Sequence, residues 1–259
     1  MTDLLDLARL PGFLLIFARV TSFFVMLPIF SYRNIPTRHK IALGLFLAWI
    51  MFYTVDIPIL VIDGNYLLLL LKEILVGLFI GFIAYLILSA VQIAGGFIDF
   101  QMGFAIANVI DPQTGAQSPL IGQYYYTIVI LFLISVDAHH LLLDGVFYSY
   151  QYIALDQFIP FEQSSIPAFL IKTFNHMFVV AFQMAVPIVG TLFLVDVALG
   201  IIARTVPQLN VFVVGLPLKI LVSFIVILLF MGIYFTAIRN LFETLLIAMR
   251  DLMNIIGGA

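Results

Sequence analysis

Residues 74–98 read ILVGLFIGFIAYLILSAVQIAGGFI, an apolar run with no charged side chain. Eighteen or so such residues in a row suffice to span a bilayer core as a helix, so this run sets the class of the chain. Two more uncharged runs, Met177–Val195 and Ile220–Ile238, meet the same criterion. Three further apolar stretches carry interruptions: Leu10–Phe30 holds Arg19, Ile41–Ile62 reaches Asp56 and Pro58, and Tyr124–Phe147 holds Asp137, His139, His140 and Asp144. The pattern predicts an all-α membrane protein of about six apolar helices. Residues 1–259 form a single membrane-embedded domain in this reading, with no soluble domain attached.

Composition agrees with that class. Apolar residues make up 64% of the 259 and charged residues 10%, and mean hydropathy is +1.19. A soluble domain carries about 25% charged residues, so this chain lacks the polar surface to face water all round. The net charge of −3 provides no basic field for nucleic acid. The absence of cysteine excludes disulfides and thiolate chemistry. The first residues, MTDLLDLARLPG, bear two Asp and one Arg, the wrong charge for a cleavable signal, so insertion is expected to use a retained helix.

The helix around the opening run starts earlier, near Leu67, and therefore contains Lys72 and Glu73. Its aliphatic and Phe side chains favour insertion by roughly 8 kcal/mol, against about 6 kcal/mol for a central Lys and carboxylate. Insertion is feasible, but surroundings other than lipid suit this helix as well. Neighbours in sequence do not face each other on a helix, so Lys72 and Glu73 are each expected to pair with another helix or subunit, as is Arg19. With six spans, Arg9, Lys172, Arg239 and Arg250 fall on one side, and Arg33, Arg38, Lys40, Arg204 and Lys219 on the other. Four against five decides no orientation by the positive-inside rule.

Three polar segments invite attention. The first, DFQMGFAIANVIDPQTG (Asp99–Gly115), follows the long apolar helix. Asp111-Pro112 and Gly115 are turn residues, and the segment suits either a solvated hairpin or a loop held within a protein-lined cavity. The second is DVALGIIARTVPQLNVFVVGLPLK (Asp196–Lys219). Asp196 and Arg204 lie about two helical turns apart, Pro207 and Pro217 break regular helix, and Gln208 and Asn210 can donate to the freed carbonyls. A polar turn and a broken helix pair lining a conduit are both consistent with it. The third is Asp137, His139, His140 and Asp144. His140 and Asp144 share a helix face at i, i+4, but no His-Glu-x-x-His pattern accompanies them, and a polar helix end accounts for the cluster without a metal. Residues 148–176 read as a long loop, and the segment from Arg239 as an amphipathic helix with Leu241, Leu245, Leu252 and Ile256 on one face. No catalytic triad, phosphate-binding loop or nucleotide motif is present, so an enzyme is not expected.

The run Asp196–Lys219 resembles the signature of the FliR/SctT family of type III export-gate proteins. The run Phe100–Gly115, with Gln101-Met102-Gly103 and then Ile110-Asp111-Pro112, resembles the family's other shared segment. Arg19, Pro28 and the basic turn RNIPTRHK (33–40) sit where its first helical hairpin would place them. The resemblance implies a gate subunit for unfolded export substrates in the flagellar basal body of the bacterial inner membrane. It also implies helical hairpins that pack with partners into a helical channel assembly, with lipid on part of the surface. Those partners are several copies of small FliP-like and FliQ-like subunits, together with an FlhB-like switch protein, with no cofactor or metal. It further implies a pore plug at Asn108, Asp111, Pro112, Gly115 and Gln117. Packing or assembly positions would be Gln101, Met102, Gly103, Asp196, Gly200, Arg204, Pro207, Gln208, Asn210, Gly215, Pro217 and Lys219. A homo-oligomeric transporter or ion channel is the alternative, suggested by the two prolines with Asp196 and Arg204.

Overall fold

The computed structural model describes residues 9–28, 30, 35–58, 60, 62–104, 119–159, 165–208 and 210–258. Among them every regular element is a helix. In chain order these are α1 (Leu10–Met26), α2 (Thr37–Phe52), α3 (Gly64–Met102), α4 (Leu120–Ser135), α5 (Ala138–Tyr152), α6 (Ile166–Thr205) and α7 (Val211–Gly257).

Each expected apolar stretch contains a helix, with α2 ending at Phe52 inside Ile41–Ile62, and three further differences stand out. Tyr124–Phe147 is two helices rather than one, bent by 75° between α4 and α5. The bend falls at Asp137, whose φ of 55° makes it the one positive-φ residue other than glycine among the described residues. Aspartate enters the left-handed region more readily than most residues, so a helix can turn sharply there. The loop expected at 148–176 is shorter, because α5 continues to Tyr152 and α6 begins at Ile166. The amphipathic C-terminal segment is continuous with the apolar helix before it, and together they make the 47 residues of α7. Pro217 lies inside α7 and does not end it. Proline removes a single N–H, and in this long apolar helix the lost bond is not enough to stop propagation.

Among the described residues three helices, α3, α6 and α7, are long and apolar enough to cross a membrane; the bent α4–α5 pair would add one if it acts as a single span. The most apolar window of α3 is 61% buried within the chain, against 22% for those of α6 and α7.

The chain forms two compact units. The first draws on residues 1–87, 136–174 and 243–259. Here α1 and α2 pack on each other, with Phe13 edge-to-face on Trp49 and Phe52. Helix α1 also runs parallel to the start of α3, with close approaches at two glycines. A Cβ on Gly77 would overlap the Arg19 carbonyl and the Ser22 hydroxyl, and one on Gly81 would lie 2.9 Å from the Phe23 carbonyl. Small residues four apart let helix backbones meet in this way. The second unit draws on residues 88–135 and 175–242. In it Phe97 meets Phe178 and Phe182 edge-on, and the Tyr125 and Tyr234 rings lie 4.2 Å apart.

Candidate functional site

In the first unit the buried charges gather at one place. Glu73 lies one turn before Gly77 on α3, so the close α1–α3 contact brings its carboxylate to Arg19. The guanidinium grips it through two nitrogens: Nη2 donates to Oε1 at 2.8 Å, and Nε donates to Oε2. Arg19 Nη1 donates to Ser149 Oγ at 3.0 Å, and Nη2 also donates to the Ile153 carbonyl at 3.0 Å. The guanidinium carbon sits 3.9 Å from the centre of the Tyr150 ring. Lys72 Nζ donates to Glu73 Oε1 at 2.5 Å and to the carbonyls of Ala154 at 2.7 Å and Leu155 at 3.2 Å.

Arg19 and Glu73 are both 0% exposed. Burying a charge is costly unless it is paired and its remaining hydrogen-bonding atoms are met. One carboxylate between two cations leaves a positive excess. The carbonyls at the C-terminal end of α5 face that excess with the negative pole of the helix. The expectation that Lys72 and Glu73 do not face each other is corrected: the flexible Lys side chain folds back onto its neighbour while also reaching the end of α5.

In the second unit the two polar segments meet at the C-terminus of α3. Gln101 Nε2 donates to Asp196 Oδ2 at 2.8 Å. Lys219 Nζ lies 2.7 Å from Asp196 Oδ1 and donates to the Gln101 carbonyl at 3.2 Å. One acid on α6 thus ties α3 to α7. The cluster is only partly covered: the Asp196 side chain is 38% exposed. Met102 is fully buried. Gly103, with φ at 92°, ends α3: its N–H bonds the Phe100 carbonyl and the Phe104 N–H bonds the Asp99 carbonyl. This pair of bonds closes a helix with a left-handed residue, which glycine adopts without a Cβ penalty. Gly215 is buried, and its Cβ would lie 3.1 Å from Leu199, so it seats α7 on α6.

Other predicted positions stay apart. Arg204 is exposed and does not join Asp196, whose partner is Lys219. The facing of residues eight apart on α6 brought no pairing, because a cation on the next helix is nearer. Gly200 has open space around it, and Pro207, Gln208 and Pro217 are exposed. Asn210 accepts rather than donates: its Oδ1 takes the Phe212 N–H at 3.2 Å and the Val213 N–H at 3.4 Å, capping α7. Asn108, Asp111, Pro112, Gly115 and Gln117 lie outside the described residues.

At the α4–α5 bend, ligand atoms of Asp137, His139 and His140 lie within 4.8 Å of one another. Asp144, one turn after His140 on α5, is not part of that group and lines a cleft of about 1230 Å³ with Arg9, Asp56, Tyr148 and Asp156. Several residues escaped the sequence reading. The spacing Gly77-x-x-x-Gly81 was a legible sign of helix contact. Ser149, Tyr150 and Asp99 carried no such sign, since nothing local marks a distant partner.

These features define an all-α membrane protein whose buried charges are spent on tying helices together. The family model described as bacterial export proteins, family 1, matches residues 10–245, and the chain belongs to that family. It is 58% identical over 259 residues to the flagellar biosynthetic protein FliR of Bacillus subtilis (strain 168), covering 99% of each chain. It is 30% identical over 220 residues to the Yop proteins translocation protein T of Yersinia pestis, covering 83% of this chain and 84% of that one. Against the flagellar biosynthetic protein FliR of Escherichia coli (strain K12), identity is 25% over 239 residues, covering 91% and 90%.

Proposed function

We propose that this chain is a subunit of the flagellar type III export gate in the bacterial inner membrane, where it helps form and close the channel that passes unfolded flagellar proteins. The carrying observation is the contrast between helices. The apolar windows of α6 and α7 are 22% buried within the chain, against 61% for α3. Phe212, Leu228 and Leu229 are among the large apolar side chains left outside. Surfaces of that size call for lipid or for other apolar helices. Full-length likeness to a flagellar relative supports the flagellar branch over the virulence one.

In this reading the partners are small FliP-like and FliQ-like membrane subunits in several copies, with an FlhB-like switch protein at the base. Gln101, Asp196 and Lys219, together with Gly200, Arg204 and the turn at Pro207–Asn210, belong to packing and assembly. Residues 108–117 act as the plug. A segment of small, polar and mostly uncharged residues fills a pore at low desolvation cost, and it leaves without breaking a buried ion pair. The transporter alternative loses part of its support: Pro217 breaks no helix, and Asp196 is paired with Lys219.

Affinity purification from membranes tests the proposal. The tagged chain should emerge with smaller, different membrane proteins at unequal ratio. Recovery as a symmetric oligomer of itself alone would overturn it.

A further inference from the structure

Both sides of the α3–α4 junction meet at one residue. Asp99 stands near the end of α3 and is 3% exposed. Its backbone carbonyl accepts the Phe104 N–H at 3.0 Å. Its carboxylate accepts the Ile121 N–H, with Oδ2 at 3.0 Å and Oδ1 at 3.2 Å, at the start of α4. The N–H groups of Leu120 and Gly122 also interact with this carboxylate. First-turn N–H groups have no partner within their own helix and form its positive pole, so a carboxylate is the group that satisfies them best.

One turn earlier the backbones touch. A Cβ on Gly95 would overlap the N and Cα of Gly122, and one on Gly122 would lie 2.8 Å from the Gln92 carbonyl. A Cβ on Gly96 would lie 3.4 Å from Pro119 Cγ. Residues 92, 95, 96 and 99 share one face of α3 by helical spacing. Steric fit and charge thus act on the same contact independently.

We propose that Asp99 is a positioning residue that staples the N-terminus of α4 to α3, and that the two helices stay locked together while the protein works. Opening the junction would strip a carboxylate and the α4 N–H groups of their partners at once, between apolar faces that offer no replacement. Conformational change during export therefore leaves this contact closed. The inference goes beyond the export reading and rests on it only for its functional assay.

The chain has no cysteine, so Gly96→Cys with Pro119→Cys gives this chain a single thiol pair. Secretion by the oxidised, cross-linked complex should stay within about twofold of the reduced one. A block on oxidation that reductant reverses would overturn the proposal. Asp99→Ala should lower secretion at least about tenfold, and Asp99→Asn, which keeps an acceptor oxygen, should restore most of it. Wild-type secretion by Asp99→Ala would also overturn it. Should Asp99→Ala fail to accumulate, the cross-link in the Asp99 background decides alone. A wild-type chain that does not restore export to a strain lacking it sinks the export reading and leaves the staple to a second readout. That readout is cross-linking yield in membranes, expected to fall at least about fivefold on Asp99→Ala with Gly122→Leu; an equal yield overturns the staple.

Discussion

Arg19 shows how a charge is kept inside an apolar bundle. Its guanidinium is committed to Glu73 on α3, to Ser149 on α5 and to the Ile153 carbonyl. Arg19→Ala would leave Glu73 with Lys72 as its partner and the Ser149 hydroxyl with only its bond to the Val146 carbonyl. Breaking a buried pair in this way costs about 3–5 kcal/mol, to be read as loss of thermal stability in the detergent-purified protein. Arg19→Met, Lys72→Met and Glu73→Leu made together should recover part of the loss, since an apolar triad has no charge to desolvate but leaves the Ile153, Ala154 and Leu155 carbonyls without these donors. A single variant as stable as wild type would mean that water reaches the cluster. Asp196 and Lys219 behave differently because they are partly exposed: ion pairs of that kind contribute about 0–1 kcal/mol. Their value lies in direction, joining three helices.

At the scale of elements, glycine decides which helices meet. Gly77→Ala would drive a methyl into the Arg19 carbonyl and the Ser22 hydroxyl, separating α1 from α3 and loosening the Arg19–Glu73 pair. Overpacking of this kind costs about 1–3 kcal/mol. Gly232→Ala on α7 meets nothing within 4 Å and should be neutral or stabilising by about 0.5–1 kcal/mol, the helical advantage of Ala over Gly. Paired melting curves check the contrast; equal shifts would show that the α1–α3 contact can relax. The apolar stretches named most of these helices in advance. The split at Asp137 and the passage of α7 through Pro217 escaped, since hydropathy is blind to one residue's φ and overrates one missing N–H.

For the molecule as a whole, the poorly buried faces of α6 and α7 leave apolar surface for lipid or for other helices. If residues 108–117 plug the resting channel, their deletion should raise ion leakage through the assembled gate when it is expressed in cells. Unchanged permeability with assembly intact would count against the plug. Mutating Arg204, which is exposed on α6, should leave the isolated chain's stability within about 0.5 kcal/mol. It should act instead on recovery of partner subunits, and a loss of monomer stability would contradict the assembly role proposed for it.

What the opening run and the composition determined by themselves was class: apolar runs of membrane length and sparse charge admit few solutions other than buried or lipid-facing helices. The two polar segments were likewise legible as special, because charge and turn residues beside such runs are costly without a use. Partnership was not legible. Arg19 meets Glu73 across 54 residues and Ser149 across 130, and Asp196 meets Gln101 across 95. Helical periodicity says which face a side chain takes, and says nothing of which helix stands opposite it. The tertiary structure alone chose Lys219 over Arg204 for Asp196, because α7 packs beside α6 there, and set Asp99 against the start of α4, because the two backbones meet at Gly95 and Gly122.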